Sequence, residues 1–194
     1  MSPARFEPLA GAMIGAAGGA VYWIGAQVWP TSVAVILSML ATALIAEQIG
    51  NPVLRGNAAW VFLLLIKYNV LMALSAAKLS FALPPNLSLG LIMICATAAS
   101  RALVVSAAAA PPAGSGPQLS SLEQVLVLFL GFAPAALLGI PGLMALAAGI
   151  VARIIWVLYA KHRRSPGSGD QPDTLRQITE NCFYLGALAT WKFI

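Results

Sequence analysis

Charged residues are scarce in this chain. Only 9% of its 194 residues are Asp, Glu, Lys or Arg, against about 25% in a typical soluble domain. The apolar share is 60%, and the mean hydropathy is +0.86. Low charge together with high hydrophobicity excludes an ordinary soluble globular domain and also excludes a disordered chain. The fold class that remains is all-α: a polytopic bundle of transmembrane helices.

Histidine and cysteine are nearly absent. The single histidine, His162, has no second histidine with which to form a zinc site. The two cysteines, Cys95 and Cys182, lie in apolar runs, and we expect separate buried thiols rather than a disulfide. The net charge of +5 reflects 11 basic and 6 acidic residues. The cytoplasmic loops of membrane proteins are typically rich in Lys and Arg, which accounts for this excess. We therefore expect no nucleic-acid partner.

Long apolar runs make up most of the chain. A membrane span needs about 20 consecutive apolar residues, and we predict a single integral membrane domain, residues 1–194, with six to seven spans. The first run follows a short segment that carries Arg5, so a span is expected there rather than a cleaved signal peptide. Within it, Gly11 and Gly15 form a small-xxx-small pattern that predicts close helix packing. The runs lie near residues 8–29, 32–49, 58–77, 88–109, 122–140, 141–160 and 178–194, and whether the last one crosses completely stays open.

The basic residues outside the runs predict the orientation. With a cytoplasmic N-terminus, Lys78 and Lys192 lie outside, and all other loop cations lie inside. We therefore expect an integral protein of a bacterial inner membrane, with the lipid bilayer as its surroundings. The residues that this topology places inside are Arg5, Arg55, Lys161, Arg163, Arg164 and Arg176.

Three cations lie within the predicted spans: Lys67, Arg101 and Arg153. A lysine or arginine at the bilayer centre costs about 2.5–3.5 kcal/mol on insertion scales. We interpret Lys67 and Arg101 as residues of an interior polar site. Snorkelling to the membrane surface is the alternative for each, and it is an equally good interpretation of Arg153.

Asp173 and Glu180 are seven residues apart, which places both on one face of a helix. Glu180 starts the last predicted span, where a basic partner such as Arg101 or Lys67 would offset the cost of a buried carboxylate. The alternative is that Asp170 or Asp173 caps the last helix and that Glu180 lies among lipid headgroups. The predicted topology brings these residues and Glu47 toward the cytoplasmic half. We therefore expect a polar cavity there, with cations for phosphate oxygens and carboxylates for Mg²⁺.

Four stretches resemble the cobalamin synthase family, whose members are adenosylcobinamide-GDP ribazoletransferases of the membrane. The opening 6–15, FEPLAGAMIG, is similar to the family's Phe-Pro-Leu-x-Gly-x-x-x-Gly entry into its first span. Lys67 lies in a leucine-rich third span as a family lysine does, and Ser100-Arg101 resembles the family's Ser-Arg in a small-residue span. Asp173, with Glu180 after it, is similar to Gly-Asp-x-Leu-Gly-Ala-x-x-Glu and also follows a basic, Gly-rich loop.

The chain also departs from this family pattern. The family's long loop after the second span carries a His-x-Asp-Gly-Leu-Ala-Asp run, whereas Gly50–Asn57 is short and contains no aspartate. The family's Asp-Ser-Arg-x-Gly-Thr element is reduced to residues 54–57, LRGN. Both glycines of the last motif are lost, with Pro172 before Asp173 and Arg176 after Leu175.

The resemblance implies transfer of a cobinamide-phosphate group from adenosylcobinamide-GDP to α-ribazole phosphate with release of GMP. It implies a corrinoid nucleotide as ligand and Mg²⁺ as cofactor if the chain is catalytic. The alternative is a degenerate homologue that serves as a binding or structural subunit among partner membrane subunits, and a small transporter is a weaker third interpretation. The implied site residues are Arg101 and Lys67 as catalytic, Arg5 and Arg55 as substrate-binding, and Glu47, Asp173 and Glu180 as metal ligands.

Overall fold

The computed structural model describes residues 3–48, 58–77, 85–108, 120–163 and 171–193. This part of the chain is helical and contains no strand, which confirms the predicted all-α class. A one-turn 3₁₀ helix, Pro3–Phe6, leads into the first α-helix. The helices are α1 (Glu7–Val28), α2 (Thr31–Gln48), α3 (Ala58–Ala76), α4 (Pro85–Ala108), α5 (Ser121–Ala136), α6 (Ile140–Arg163) and α7 (Gln171–Phe193).

Each predicted apolar run coincides with one of these helices. Helix α7 departs most from its prediction, because it begins at Gln171 rather than near 178. Pro172 and Asp173 occupy its first turn. The backbone N–H groups of a first turn have no acceptor within the helix, so a proline there costs no hydrogen bond. A carboxylate in this turn interacts favourably with the helix dipole. The polar residues that follow are therefore part of a helix and not of a loop.

Among the described residues, four helices are long and apolar enough to cross a membrane: α1, α2, α4 over Ser88–Ala107, and α6 over Ile140–Tyr159. Helices α3 and α5 are apolar but shorter in their described extent. The fold is therefore a membrane-type helix bundle, and the expected number of six to seven spans stays a prediction.

Helix α4 forms the centre of the bundle. Of its apolar stretch, 78% is buried inside the protein, compared with 28% for the corresponding stretch of α6. Large apolar side chains on α2 and α6 remain exposed, which is the arrangement expected of surfaces that face lipid. The largest fully buried side chains include Tyr22, Leu71, Leu89, Ile92, Met93, Phe183 and Tyr184.

Glycines set the distance between α1 and α4. A Cβ at Gly11 would lie 2.5 Å from the carbonyl oxygen of Thr97, and one at Gly15 would lie 2.6 Å from Cα of Ile94. A methyl group at either position would therefore overlap the backbone of α4. The close packing predicted from the Gly11-xxx-Gly15 pattern is confirmed, and it brings the N-terminal turn of α1 beside Arg101.

Candidate functional site

A cluster of buried polar side chains lies inside the bundle between α3, α4 and α7. Lys67 comes from α3 and Arg101 from α4, and each is at most 5% exposed. Helix α7 supplies Arg176, Gln177 and Glu180, which are at most 8% exposed. Charged groups at this depth require partners, because an unpaired buried charge costs several kcal/mol.

Helix α7 carries this cluster because of its spacing of polar residues. Polar side chains at i, i+3, i+4, i+7 and i+8 share one helical face. That face points into the bundle, where every residue of the stripe from Arg176 onward is buried. The stripe consists of Asp173, Arg176, Gln177, Glu180, Asn181 and Tyr184.

Lys67 and Glu180 form a buried ion pair. Nζ of Lys67 donates a hydrogen bond to Oε1 of Glu180 at 2.7 Å. The hydroxyl of Tyr184 donates to the same oxygen at 3.1 Å. The expectation that Glu180 has a basic partner is confirmed, and of the two candidates the partner is Lys67 rather than Arg101.

Arg101 is paired with a different acid. Its Nη1 donates a hydrogen bond to Oε2 of Glu7, the first residue of α1. The side chain of Arg101 is 4% exposed, whereas that of Glu7 is 39% exposed. The pair therefore joins a buried cation to an acid at the edge of the bundle. Sequence reasoning did not identify Glu7 as a site residue.

Arg176 has no comparable partner. Its Nη2 lies 3.5 Å from Oδ1 of Asp173, one helical turn earlier. This nitrogen is buried and makes no hydrogen bond within the described residues. Arg176 was predicted to be a cytoplasmic loop cation, but it lies on α7 in the polar cluster. The signal was present, since Arg176 and Glu180 are four residues apart on one helix face.

These side chains surround a small cavity of about 30 Å³. A buried water needs about 10–15 Å³ of such space, so the cavity has room for about two waters. Its wall contains three cations and one carboxylate, and the carboxylate is already paired with Lys67. Arg101 and Arg176 also lie near carboxylates, those of Glu7 and Asp173, which do not line the cavity. The ammonium and guanidinium groups of the wall are donors of the kind that bind an oxyanion such as phosphate. The cavity is lined by Ile14, Met39, Thr42, Ala43, Ala46, Leu64, Lys67, Thr97, Ser100, Arg101, Arg176, Gln177 and Glu180.

An apolar groove between α2 and α3 lies directly beside this cavity. The groove is lined by Ile36, Met39, Val61, Leu64, Leu65 and Tyr68. Met39 and Leu64 line both spaces, so these two side chains separate the polar interior from the apolar groove.

Arg5 and Glu47 do not line the cavity. Arg5 is half-buried, and its guanidinium carbon lies 4.5 Å from the ring centroid of Phe6. Glu47 is exposed near the end of α2. Arg55 lies outside the described residues. Arg153 is half-buried on α6 and does not line this cavity.

The three acids expected to bind metal are not brought together. Glu180 is paired with Lys67, Asp173 lies near Arg176, and Glu47 is exposed. Within the described ranges, no group of three or more His, Cys, Asp or Glu side chains is placed to hold a metal ion. The described donors therefore do not fit a magnesium site, and Mg²⁺ binding stays a prediction. The two cysteines are free thiols; Cys95 is buried, as predicted, and Cys182 is half-buried.

Comparison with known proteins identifies relatives of this chain. A family model described as cobalamin-5-phosphate synthase matches residues 54–188, more than two thirds of the chain. The matched segment contains Lys67, Arg101, Arg176 and Glu180, and Glu7 lies outside it. An adenosylcobinamide-GDP ribazoletransferase of Leptothrix cholodnii is 59% identical over 39 residues. That alignment spans 20% of this chain and only 15% of the relative. No solved structure matches.

Proposed function

Because the chain belongs to the cobalamin-5-phosphate synthase family, we propose that it is a membrane-embedded transferase that acts on a nucleotide-activated corrinoid. In the proposed reaction, a cobinamide-phosphate group moves from adenosylcobinamide-GDP to α-ribazole phosphate, and GMP leaves. One observation carries this proposal: three buried cations of the segment that the family model matches, Lys67, Arg101 and Arg176, line one cavity.

The charge of the cavity suits the proposed reaction. A hydroxyl oxygen of α-ribazole phosphate forms a new bond to the cobinamide-bearing phosphorus, and its proton passes to a base or to water. The bond from that phosphorus to the GMP oxygen breaks, and the electron pair leaves with GMP. Negative charge on the phosphate oxygens is neutralised by buried cations, and the barrier falls because these groups are already in position. Arg101 and Arg176 contribute through the planar guanidinium fork, and Lys67 contributes as a point charge.

We further propose that the cavity serves the cytoplasmic side of a bacterial inner membrane, with the N-terminus cytoplasmic. The excess of basic loop residues on that side supports this orientation. Fusion of a reporter to the N-terminus and another near residue 115 tests it, because the positions of the two reporters relative to the membrane reveal the topology. A periplasmic N-terminal reporter contradicts the proposed orientation.

The experiment for the transferase measures GMP. The purified protein in lipid nanodiscs is incubated with adenosylcobinamide-GDP and α-ribazole phosphate, with and without Mg²⁺, and GMP is quantified by chromatography. We expect GMP release, and we expect Arg176→Gln to lower the rate by about 10²–10³, the usual effect of losing one electrostatic donor. Arg153→Gln is the matched control, since it removes a half-buried arginine that does not line the cavity. Folded protein that releases no GMP under either condition refutes the proposal.

A second candidate function is supported by the pairing of the acids. Glu180 and Glu7 are each bound to a cation, and the segment 50–57 contains no acidic residue. These features suit a non-catalytic homologue that acts as a binding or structural subunit of a membrane complex. Extraction in a mild detergent should then yield a stoichiometric partner, whereas an active, monodisperse monomer contradicts this candidate.

A further inference from the structure

Two arginines of the cavity differ in what they bind. Arg101 and Arg176 line the same buried space and are 4% and 8% exposed. The guanidinium of Arg101 donates to Glu7, while Nη2 of Arg176 is buried without a hydrogen bond and lies 3.5 Å from Oδ1 of Asp173 on its own helix. A buried, unsatisfied donor is costly, and it usually marks a place where a ligand or water belongs.

The acids around these two arginines are not equally available. Glu180 is 4% exposed and is held by both Lys67 and Tyr184. Its release would leave a carboxylate and an ammonium unpaired inside the bundle, which is strongly unfavourable. The side chain of Glu7 is 39% exposed at the first turn of α1. Glu7 can therefore exchange its arginine for water and still keep the favourable interaction of a carboxylate with a helix N-terminus.

We infer that a single phosphate-class oxyanion binds between Arg101 and Arg176, and that Glu7 is an internal competitor which this anion displaces from Arg101. The inference rests on the proposed function, since it concerns the same cavity, and it adds the step by which an anion gains access to Arg101. Carboxylate and phosphate oxygens use the same guanidinium donors, so Glu7 and the anion exclude each other at Arg101. The present cavity holds about two waters, and a phosphoryl group gains its second arginine only when Glu7 leaves.

The competition has a measurable consequence. When a binding-competent state is only partly populated, the apparent affinity falls by that fraction. In the wild-type chain, the state with Arg101 free of Glu7 is the competent one. Removing the carboxylate charge of Glu7 should therefore tighten anion binding without adding any new contact.

The test uses inorganic phosphate as the probe and the full chain in phosphatidylcholine nanodiscs, with the dissociation constant measured by calorimetry. We expect Glu7→Gln to tighten phosphate binding by about fivefold and Arg176→Gln to weaken it by about tenfold or more. Glu123→Gln, which alters a half-buried acid in the first turn of α5 that does not line the cavity, is the matched control and should leave the constant unchanged. All variants are first compared with wild type by thermal unfolding and by size-exclusion profile.

Each outcome decides a separate point. If Glu7→Gln leaves the constant unchanged or weakens binding, Glu7 is not a competitor and the inference is overturned. If Arg176→Gln leaves it unchanged, the anion binds elsewhere, which also overturns the inference. A second arm replaces part of the phosphatidylcholine with phosphatidic acid. Loss of phosphate binding there assigns the same site to a lipid headgroup, whereas unchanged binding supports a soluble phosphoryl ligand.

The result is distinguishable from failure of the proposed transferase. Phosphate binding with the expected response to Glu7→Gln, but without GMP release, supports the anion site and removes the transferase. GMP release together with a phosphate dissociation constant that Glu7→Gln leaves unchanged supports the transferase and excludes Glu7 as a competitor.

Discussion

The buried pair of Lys67 and Glu180 gives the sharpest prediction about stability. At 2.7 Å between Nζ and Oε1, the Coulomb attraction is about 6 kcal/mol at an effective dielectric constant of about 20. Burial of both side chains opposes this attraction, so the net contribution of the intact pair is small. The cost appears when one partner is removed and the other charge is left inside the bundle.

We expect Lys67→Met and Glu180→Gln each to lower the free energy of unfolding by about 3–5 kcal/mol. The double variant Lys67→Met/Glu180→Gln removes both charges, and we expect it to be about as stable as the wild type. At about 2–4 °C per kcal/mol for a chain of this size, each single variant should lose about 6–20 °C in its unfolding midpoint. Arg153→Met is the control, because it removes a cation that forms no ion pair among the described residues.

The assay is a double-mutant cycle measured by thermal unfolding of the purified protein in one detergent at one protein concentration. The cycle isolates the coupling between the two residues, since effects that each residue has independently cancel. The reasoning fails if the double variant is destabilised by the sum of the two single variants. It also fails if each single variant loses no more than the Arg153→Met control.

Two further predictions concern packing and a hydrogen bond between helices. Gly15→Ala should lower the free energy of unfolding by about 1–3 kcal/mol because the new methyl overlaps the backbone of α4. Gly149→Ala should cost less, because its methyl would lie 3.3 Å from the end of the flexible Leu103 side chain and 3.7 Å from the carbonyl oxygen of Thr179, which is an ordinary contact distance. Equal losses of stability in thermal unfolding would contradict this. Asn181→Ala should cost about 1 kcal/mol, since its amide donates to Leu63 of α3 at 3.1 Å. Asn69→Ala, which removes an exposed bond within one helix, should have a smaller effect in the same assay.

Most helices were predictable from the sequence for a simple physical reason. The sequence consists of long apolar runs separated by Pro, Gly and polar residues. Inside a bilayer no water is present to bind the backbone polar groups, so each apolar run satisfies its backbone hydrogen bonds by forming a helix. The prediction was weakest for α7, where polar residues such as Arg176 and Gln177 lowered the hydrophobicity below that of a span. Those residues face the protein interior, so average hydrophobicity misplaced the start of this helix.

The pairing within the site was only partly predictable. Lys67 and Glu180 lie 113 residues apart, and their contact depends on how α3 and α7 rotate about their axes. Helix α3 is apolar nearly all round, so its sequence carries little information about which face is buried. A carboxylate at the predicted depth of Glu180 nevertheless needs a basic partner. That requirement restricted the partner to Lys67 or Arg101, and Lys67 is the one observed. Arg176 was missed because it was treated as a loop residue, although the polar stripe on α7 already included it.

The close packing of α1 against α4 restricts how Glu7 can move. A Cβ at Gly11, Gly15 or Gly19 would lie within 2.9 Å of a backbone atom of α4, so sliding α1 along α4 would bring main-chain atoms of the two helices into overlap. A displaced Glu7 must therefore move by rotating its own side chain or by unwinding the first turn, while the rest of α1 stays in register. The bundle is therefore rigid along the contact between α1 and α4, and the first turn of α1 is the part that can adjust. Arg101 keeps its position on α4 while Glu7 moves.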